Sequence, residues 1–165
     1  MTPKVELIES SRRWRASPGI GKVIRRAIKV ALETSGAQIR DRAEVSVLLA
    51  DDRELSALNE RWRGLARPTN VLSFPAAAPE KIAAAPLLGD IAMAFETVEQ
   101  EAAEQGKTFA DHAAHLAVHG FLHLLGFDHQ SADEADRMEA LEIRALARLA
   151  IADPYASRAA ADAEA

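Results

Sequence analysis

Three histidines stand at the first, fifth and eleventh positions of the stretch from His119 to His129. His119 and His123 are four residues apart, so on a helix they lie about 40° apart in azimuth, one turn above the other. Two imidazoles so placed can share one metal ion. Gly126 permits the left-handed backbone that ends a helix, and that turn can bring His129 back as a third ligand. The chain has no cysteine, so a metal must be held by imidazole or carboxylate. Three neutral imidazoles with an open fourth position make a catalytic-type site for one Zn2+ ion, on a helix and the turn that follows it. Asp128 is either a fourth ligand, which would close the site, or a hydrogen-bonding neighbour of the ligands. His112 and His115 share the helical face of His119 and His123. His115 is read as a neighbour of the ligands, a substrate contact, or a polar residue at the edge of the core, and His112 as a surface residue near the helix cap.

The spacing His-x3-His-x5-His, with a glycine at its eighth position, resembles that of the metzincin zinc proteases. Those enzymes carry at the second position a glutamate that takes the proton. Here that position is Gly120, which has no side chain. The ligand geometry of a hydrolase is therefore present without the peptidase base.

Around this motif the periodicity predicts an α+β domain. Residues 4–9 read as a first strand. Ser17-Pro18 reads as a helix start, followed by Ile20, Ile24, Ala27, Ile28 and Ala31 at helical spacing and a stop at Gly36. The apolar run 45–50 reads as a buried strand. Asp51 or Asp52 caps a second helix, with Leu55, Leu58 and Trp62 inward and Gly64 as its end. Residues 70–74 form a third strand closed by Pro75; the Ala- and Pro-rich stretch 75–88 reads as a long loop; 89–95 form a fourth strand. A short helix follows to Gly106. Thr108 caps the motif helix, and Ser131 caps a last helix with Met138, Leu141, Ala145, Leu146 and Leu149 on one face. The expectation is one domain over 1–152, with four strands in one mixed sheet and about five helices, and a flexible tail over 153–165. The last two strands pair antiparallel, and the others are joined by helical crossovers.

Residues 1–70 carry 14 Lys and Arg against 9 Asp and Glu, and residues 71–165 carry 6 against 16. An acidic chain so polarised can still offer a basic face to a polyanion. No run of eighteen apolar residues suggests a membrane span, and no apolar leader precedes Arg12-Arg13-Trp14-Arg15. With no cysteine, this fits a cytoplasmic protein.

The motif His119-Gly120-x-Leu-His123-Leu-x-Gly126-Phe127-Asp128-His129 resembles the signature of the YbeY family of bacterial endoribonucleases, the rRNA maturation factors. Two more blocks agree. Arg63-Gly64, followed by Arg67-Pro68-Thr69-Asn70-Val71-Leu72-Ser73-Phe74-Pro75, is similar to one family segment. Leu88-Gly89-Asp90-Ile91 is similar to another. Leu65-Ala66 departs from the Lys-Asp of many relatives. The resemblance implies His119, His123 and His129 as metal ligands and Arg63 as the functionally important arginine. A guanidinium suits that role because it matches phosphate oxygens bidentately. Arg61, Arg67 and His115 are further candidate substrate contacts. The implied activity is zinc-dependent cleavage of single-stranded RNA, in small-subunit rRNA 3′-end maturation and ribosome biogenesis. The implied partners are rRNA and the small subunit or its assembly factors. A metal-dependent peptidase and a non-catalytic ribosome assembly factor with structural zinc are the alternatives.

Overall fold

The computed structural model describes residues 1–156. Its elements in chain order are β1 (Lys4–Glu9), α1 (Ile20–Ser35), β2 (Glu44–Ala50), α2 (Asp52–Arg63), β3 (Val71–Pro75), β4 (Leu87–Ala94), α3 (Phe95–Glu104), α4 (Phe109–Leu124) and α5 (Ala132–Arg148). The four strands among the described residues form one sheet in the order β1-β2-β4-β3. β1 and β2 run parallel, as do β2 and β4, while β3 runs antiparallel to β4. That is the expected mixed sheet.

Alternation along the strands sends two sets of side chains to two faces. On one face Val45, Val47, Leu49, Ile91 and Met93 join residues of α1, α3, α4 and α5 in the main core. On the other, Ala50, Leu72, Ala92 and Ala94 pack with Leu55 of α2 in a smaller cluster. α4 runs through the main core. Its Ala113, Ala114, Leu116, Ala117, Val118, Phe121, Leu122 and Leu124 are buried, as in a helix packed on most sides. The side-chain caps fall where the sequence places them. Asp51 accepts from the Glu54 N–H, Thr108 from Asp111 and Ser131 from Glu134.

Four expectations need correction. α1 begins at Ile20 behind Gly19, not at Ser17-Pro18. The preceding residues Arg12–Ala16 form a 3-10 turn, and Ser17 is used to close it, donating its N–H to the Trp14 carbonyl. That turn exists because Trp14 is buried: its indole N–H donates to the Ala50 carbonyl at 2.8 Å, and its ring packs on Phe95 and Phe109. The stretch 75–88 contains a second 3-10 turn, Pro79–Ala84, anchored by buried Ile82. Trp62 does not face inward; it is 61% exposed. His112 is buried, with its Nε2 on Glu101 Oε1 at 2.8 Å. That carboxylate also accepts from Asn70 Nδ2, so the start of β3 is tied to α3 and α4. The tail reading over 157–165 lies outside the described residues. Within 153–156, a turn sends the Tyr155 hydroxyl to Glu142. Among the described residues no helix is long and apolar enough to cross a membrane.

Candidate metal centre and its cleft

His119 and His123 project from the last turns of α4, which ends where Leu125 and Gly126 return their N–H groups to carbonyls of 121–123. Gly126 adopts φ +99°, a conformation L side chains rarely take. A Cβ there would lie 2.9 Å from Pro79 Cβ. Glycine is thus required both for the turn that brings His129 back and for the approach of the 75–88 segment. The ligand atoms of His119, His123 and His129 lie within 4.8 Å of one another. The two Nε2 atoms of His119 and His123 are 3.1 Å apart. Two nitrogens on one tetrahedral zinc, at Zn–N near 2.05 Å, would stand about 3.3 Å apart. The donor set and its spacing therefore fit a zinc ion.

The tautomers fit as well. His119 Nδ1 lies 2.6 Å from Glu142 Oε1, which directs its Nε2 towards His123. A carboxylate behind a ligating imidazole fixes the ring and raises its basicity. Burial, and then the charges of His119 and His129, lower the His123 pKa to about 4, so this imidazole is neutral near pH 7.

Glu142 was not singled out in the sequence. It is 1% exposed and receives three groups: His119, His115 Nε2 at 3.1 Å, and the Tyr155 hydroxyl at 2.5 Å. Burial raises its pKa, but the hydrogen bonds from His115 and His119, the charge of His119 and the Tyr155 hydroxyl outweigh it and hold it at about 2. The signal was available. Glu142 sits four residues from both Met138 and Leu146, a carboxylate inside the apolar stripe of α5, where an unpaired charge would be costly. His115 is turned onto this carboxylate and does not line the cleft, which sets it behind the ligands rather than among substrate contacts. Asp128 accepts from the His129 backbone N–H at 2.8 Å and so shapes the loop; it bonds no ligand imidazole.

A cleft of about 390 Å³ opens beside His123. Its walls include Arg63, Ser73, Pro79, Asp128 and Gln130. Arg63 is the last residue of α2, which Gly64 closes. Asn59, buried one turn earlier, donates to the Arg67 carbonyl at 3.0 Å and holds the loop after Gly64 against the helix. Among the described residues no hydrogen bond or ion pair engages the Arg63 guanidinium. Arg63 also borders a neighbouring hollow of about 340 Å³ that includes Arg67 and Asn70. Arg61 lines neither; its guanidinium lies 5.3 Å from the centre of the Trp62 ring.

Gly120 explains the missing peptidase base. A Cβ at this position would meet Ser73 Oγ at 3.1 Å and Ile91 Cγ2 at 3.2 Å. The Ser73 hydroxyl also donates to the Gly120 carbonyl. This side of α4 lies against β3 and β4, so a glutamate here would be driven into the sheet.

Three convergent imidazoles, a carboxylate behind His119 and an unengaged arginine on the wall of the cleft beside His123 have the layout of a metal-dependent hydrolase. A family model described as "Endoribonuclease YbeY" matches residues 9–150. Two relatives bearing that name are 49% identical over 160 residues (Bradyrhizobium diazoefficiens) and 46% identical over 155 residues (Methylocella silvestris). Each alignment covers 94% of this chain and 87% of the relative. The chain belongs to the YbeY endoribonuclease family. The solution structure of TM1509 from Thermotoga maritima shares the fold, with TM-score 0.55 at 22% identity over 88% of this chain and 91% of that one.

Proposed function

We propose that this protein is a zinc-dependent endonuclease for single-stranded RNA that acts in rRNA maturation within the cytoplasm, with the small ribosomal subunit or its assembly factors as partners. The observation that carries the reading is the sharing of one cleft by His123 and Arg63. His119, His123 and His129 would hold the ion. When bound, zinc supplies a Lewis acid for a phosphate oxygen or for water.

The remaining work falls to this chain's own residues. Charge that develops during phosphodiester cleavage lies on the non-bridging oxygens, and the planar Arg63 guanidinium can bind two of them. Arg67, in the adjoining hollow, extends the positive track for the backbone. Glu142 orients His119 through Nδ1. Ser73 fixes β3 to α4, and with it the floor of the cleft. The peptidase alternative lacks support, because position 120 is a glycine with no group to accept a proton, and even a Cβ there would be tight against Ser73 and Ile91.

Single-stranded rRNA fragments and casein, incubated side by side with the zinc-loaded protein, test the reading. RNA cleavage abolished by chelator, with casein intact, supports it. Casein digestion, or RNA left whole, contradicts it.

A further inference from the structure

The metal cleft is not the only hollow beside α2. The outer face of the sheet is covered by α2 over only part of its width. The rest forms a groove of about 670 Å³ with Ile8, Leu48, Trp62, Phe74 and Asp90 among its walls. Ser73 and Pro75 line both this groove and the metal cleft, so the two adjoin at the edge strand β3.

Trp62 stands out here. It is one of two tryptophans in the chain. Trp14 is 1% exposed, whereas Trp62 is 61% exposed. The Trp62 ring lies 6.0 Å from Phe74 at a tilt of 56°, and Arg61 lies over the indole at 5.3 Å. It is the immediate neighbour of Arg63, on the α2 turn that reaches the metal cleft. With Ile8, also exposed at 43%, and Leu48 and Phe74, the ring forms one contiguous apolar patch rather than a lone surface residue, and such patches mark binding sites.

The chemistry of the surroundings selects the occupant. The ring is flanked by Arg61 and Arg63, with Arg67 beyond, against Glu60 alone as an acid between 60 and 67. Cations beside an exposed aromatic suit a ligand with an anionic backbone and free π-faces, which is single-stranded nucleic acid. Asp90 lies in the row Ser46↔Asp90↔Phe74 across the strands, on the groove floor. There it repels phosphate but can accept from the exocyclic amino group of a base. Bases over the groove, with the phosphates on the side of Arg61 at the indole and Arg63 at the metal cleft, satisfy both.

We infer that Trp62, backed by Phe74, is a base-stacking subsite for the RNA strand, adjoining the metal cleft across Ser73 and Pro75. This rests on the proposed RNA substrate and extends it by a binding site outside the metal cleft.

The test uses the full-length, zinc-loaded protein and a single-stranded 2′-O-methyl oligonucleotide, which resists cleavage. Saturable quenching of tryptophan emission is expected, absent in Trp62→Phe, since buried Trp14 has no contact with the strand. Trp62→Ala should bind about tenfold more weakly by anisotropy, at unchanged zinc content, while Trp62→Phe stays close to wild type, as expected for the loss and retention of one stacked base. The same backbone without bases should not quench. Binding with no quenching, and equal affinity in Trp62→Ala, overturns the subsite and leaves the RNA reading intact. No binding at all overturns both. Emission that shifts with protein concentration alone, alongside a dimer in sedimentation, also overturns it and assigns the face to a second copy of the chain.

Discussion

At the scale of single residues, Glu142 bears most on the metal. It is the carboxylate on which His119, His115 and Tyr155 converge. Removing its charge in Glu142→Gln should weaken zinc binding by about 10- to 100-fold, read by competition with a chromogenic chelator. Unchanged affinity would show that the negative charge behind His119 does not contribute to holding the ion. Gly120 is the other residue with a sharp consequence. Gly120→Glu places a long charged side chain where even a Cβ is tight against Ser73 and Ile91, and should cost about 3 kcal/mol or more of stability by denaturant unfolding. The three histidines and Arg63 could be picked out from type and motif alone. Glu142 is marked only as a carboxylate inside the apolar stripe of α5; its role depends on the partners from α4 and from Tyr155. His115 was visible as a histidine on the right face. Its direction depended on where α5 packs, which no local pattern carries.

At the scale of elements, α4 couples the site to the core. Its N-terminal half is anchored by His112, held largely neutral by burial although Glu101 favours the charged form; its pKa lies below the usual 6.5. The unfolded chain therefore binds more protons than the fold below pH 6.5, and stability is lost as pH falls. His123 acts with the same sign between 6.5 and about 4. The metal-free protein should keep a level melting temperature from pH 8 to 7 and lose stability steadily from pH 6.5 to 4.5. His112→Gln should make that slope shallower. A melting temperature that rises on acidification would contradict the burial argument. Strands, caps and the main helices were legible because apolar periodicity and Asp51, Thr108 and Ser131 mark them locally. The start of α1 was not, since Ser17 is used by the Trp14 turn, whose reason is a hydrogen bond to Ala50 on a distant strand. The 3-10 turn in 75–88 was hidden for a similar reason. Only Ile82 is apolar enough to anchor it, and Pro79 is held by contact with Gly126.

At the scale of the whole molecule, the fold brings together segments far apart in the chain. α2 comes from the half rich in Lys and Arg and delivers Arg63, while β3 opens the acidic half and delivers Ser73. α4 and the turn after it deliver the histidines. The antiparallel pairing of β3 with β4, under α4, makes the meeting possible. Charge counting over the two halves cannot say that Arg63 is the basic residue on the cleft beside His123. His119→Ala combined with His123→Ala should remove about one equivalent of zinc, by metal analysis of the purified protein; full retention would place the ion elsewhere.

The central claim is that Arg63 and the histidine cluster act on the same phosphodiester. The most direct measurement is single-turnover cleavage of a defined single-stranded RNA by wild-type protein, Arg63→Ala and Arg63→Lys, with zinc content determined on each sample. Arg63→Ala should cleave at least about 100-fold more slowly with its zinc intact, as for loss of a charge-stabilising donor. Arg63→Lys should recover only part of the rate, since an ammonium cannot bind two oxygens in one plane. Cleavage by Arg63→Ala at the wild-type rate, with the same metal content, would contradict the account.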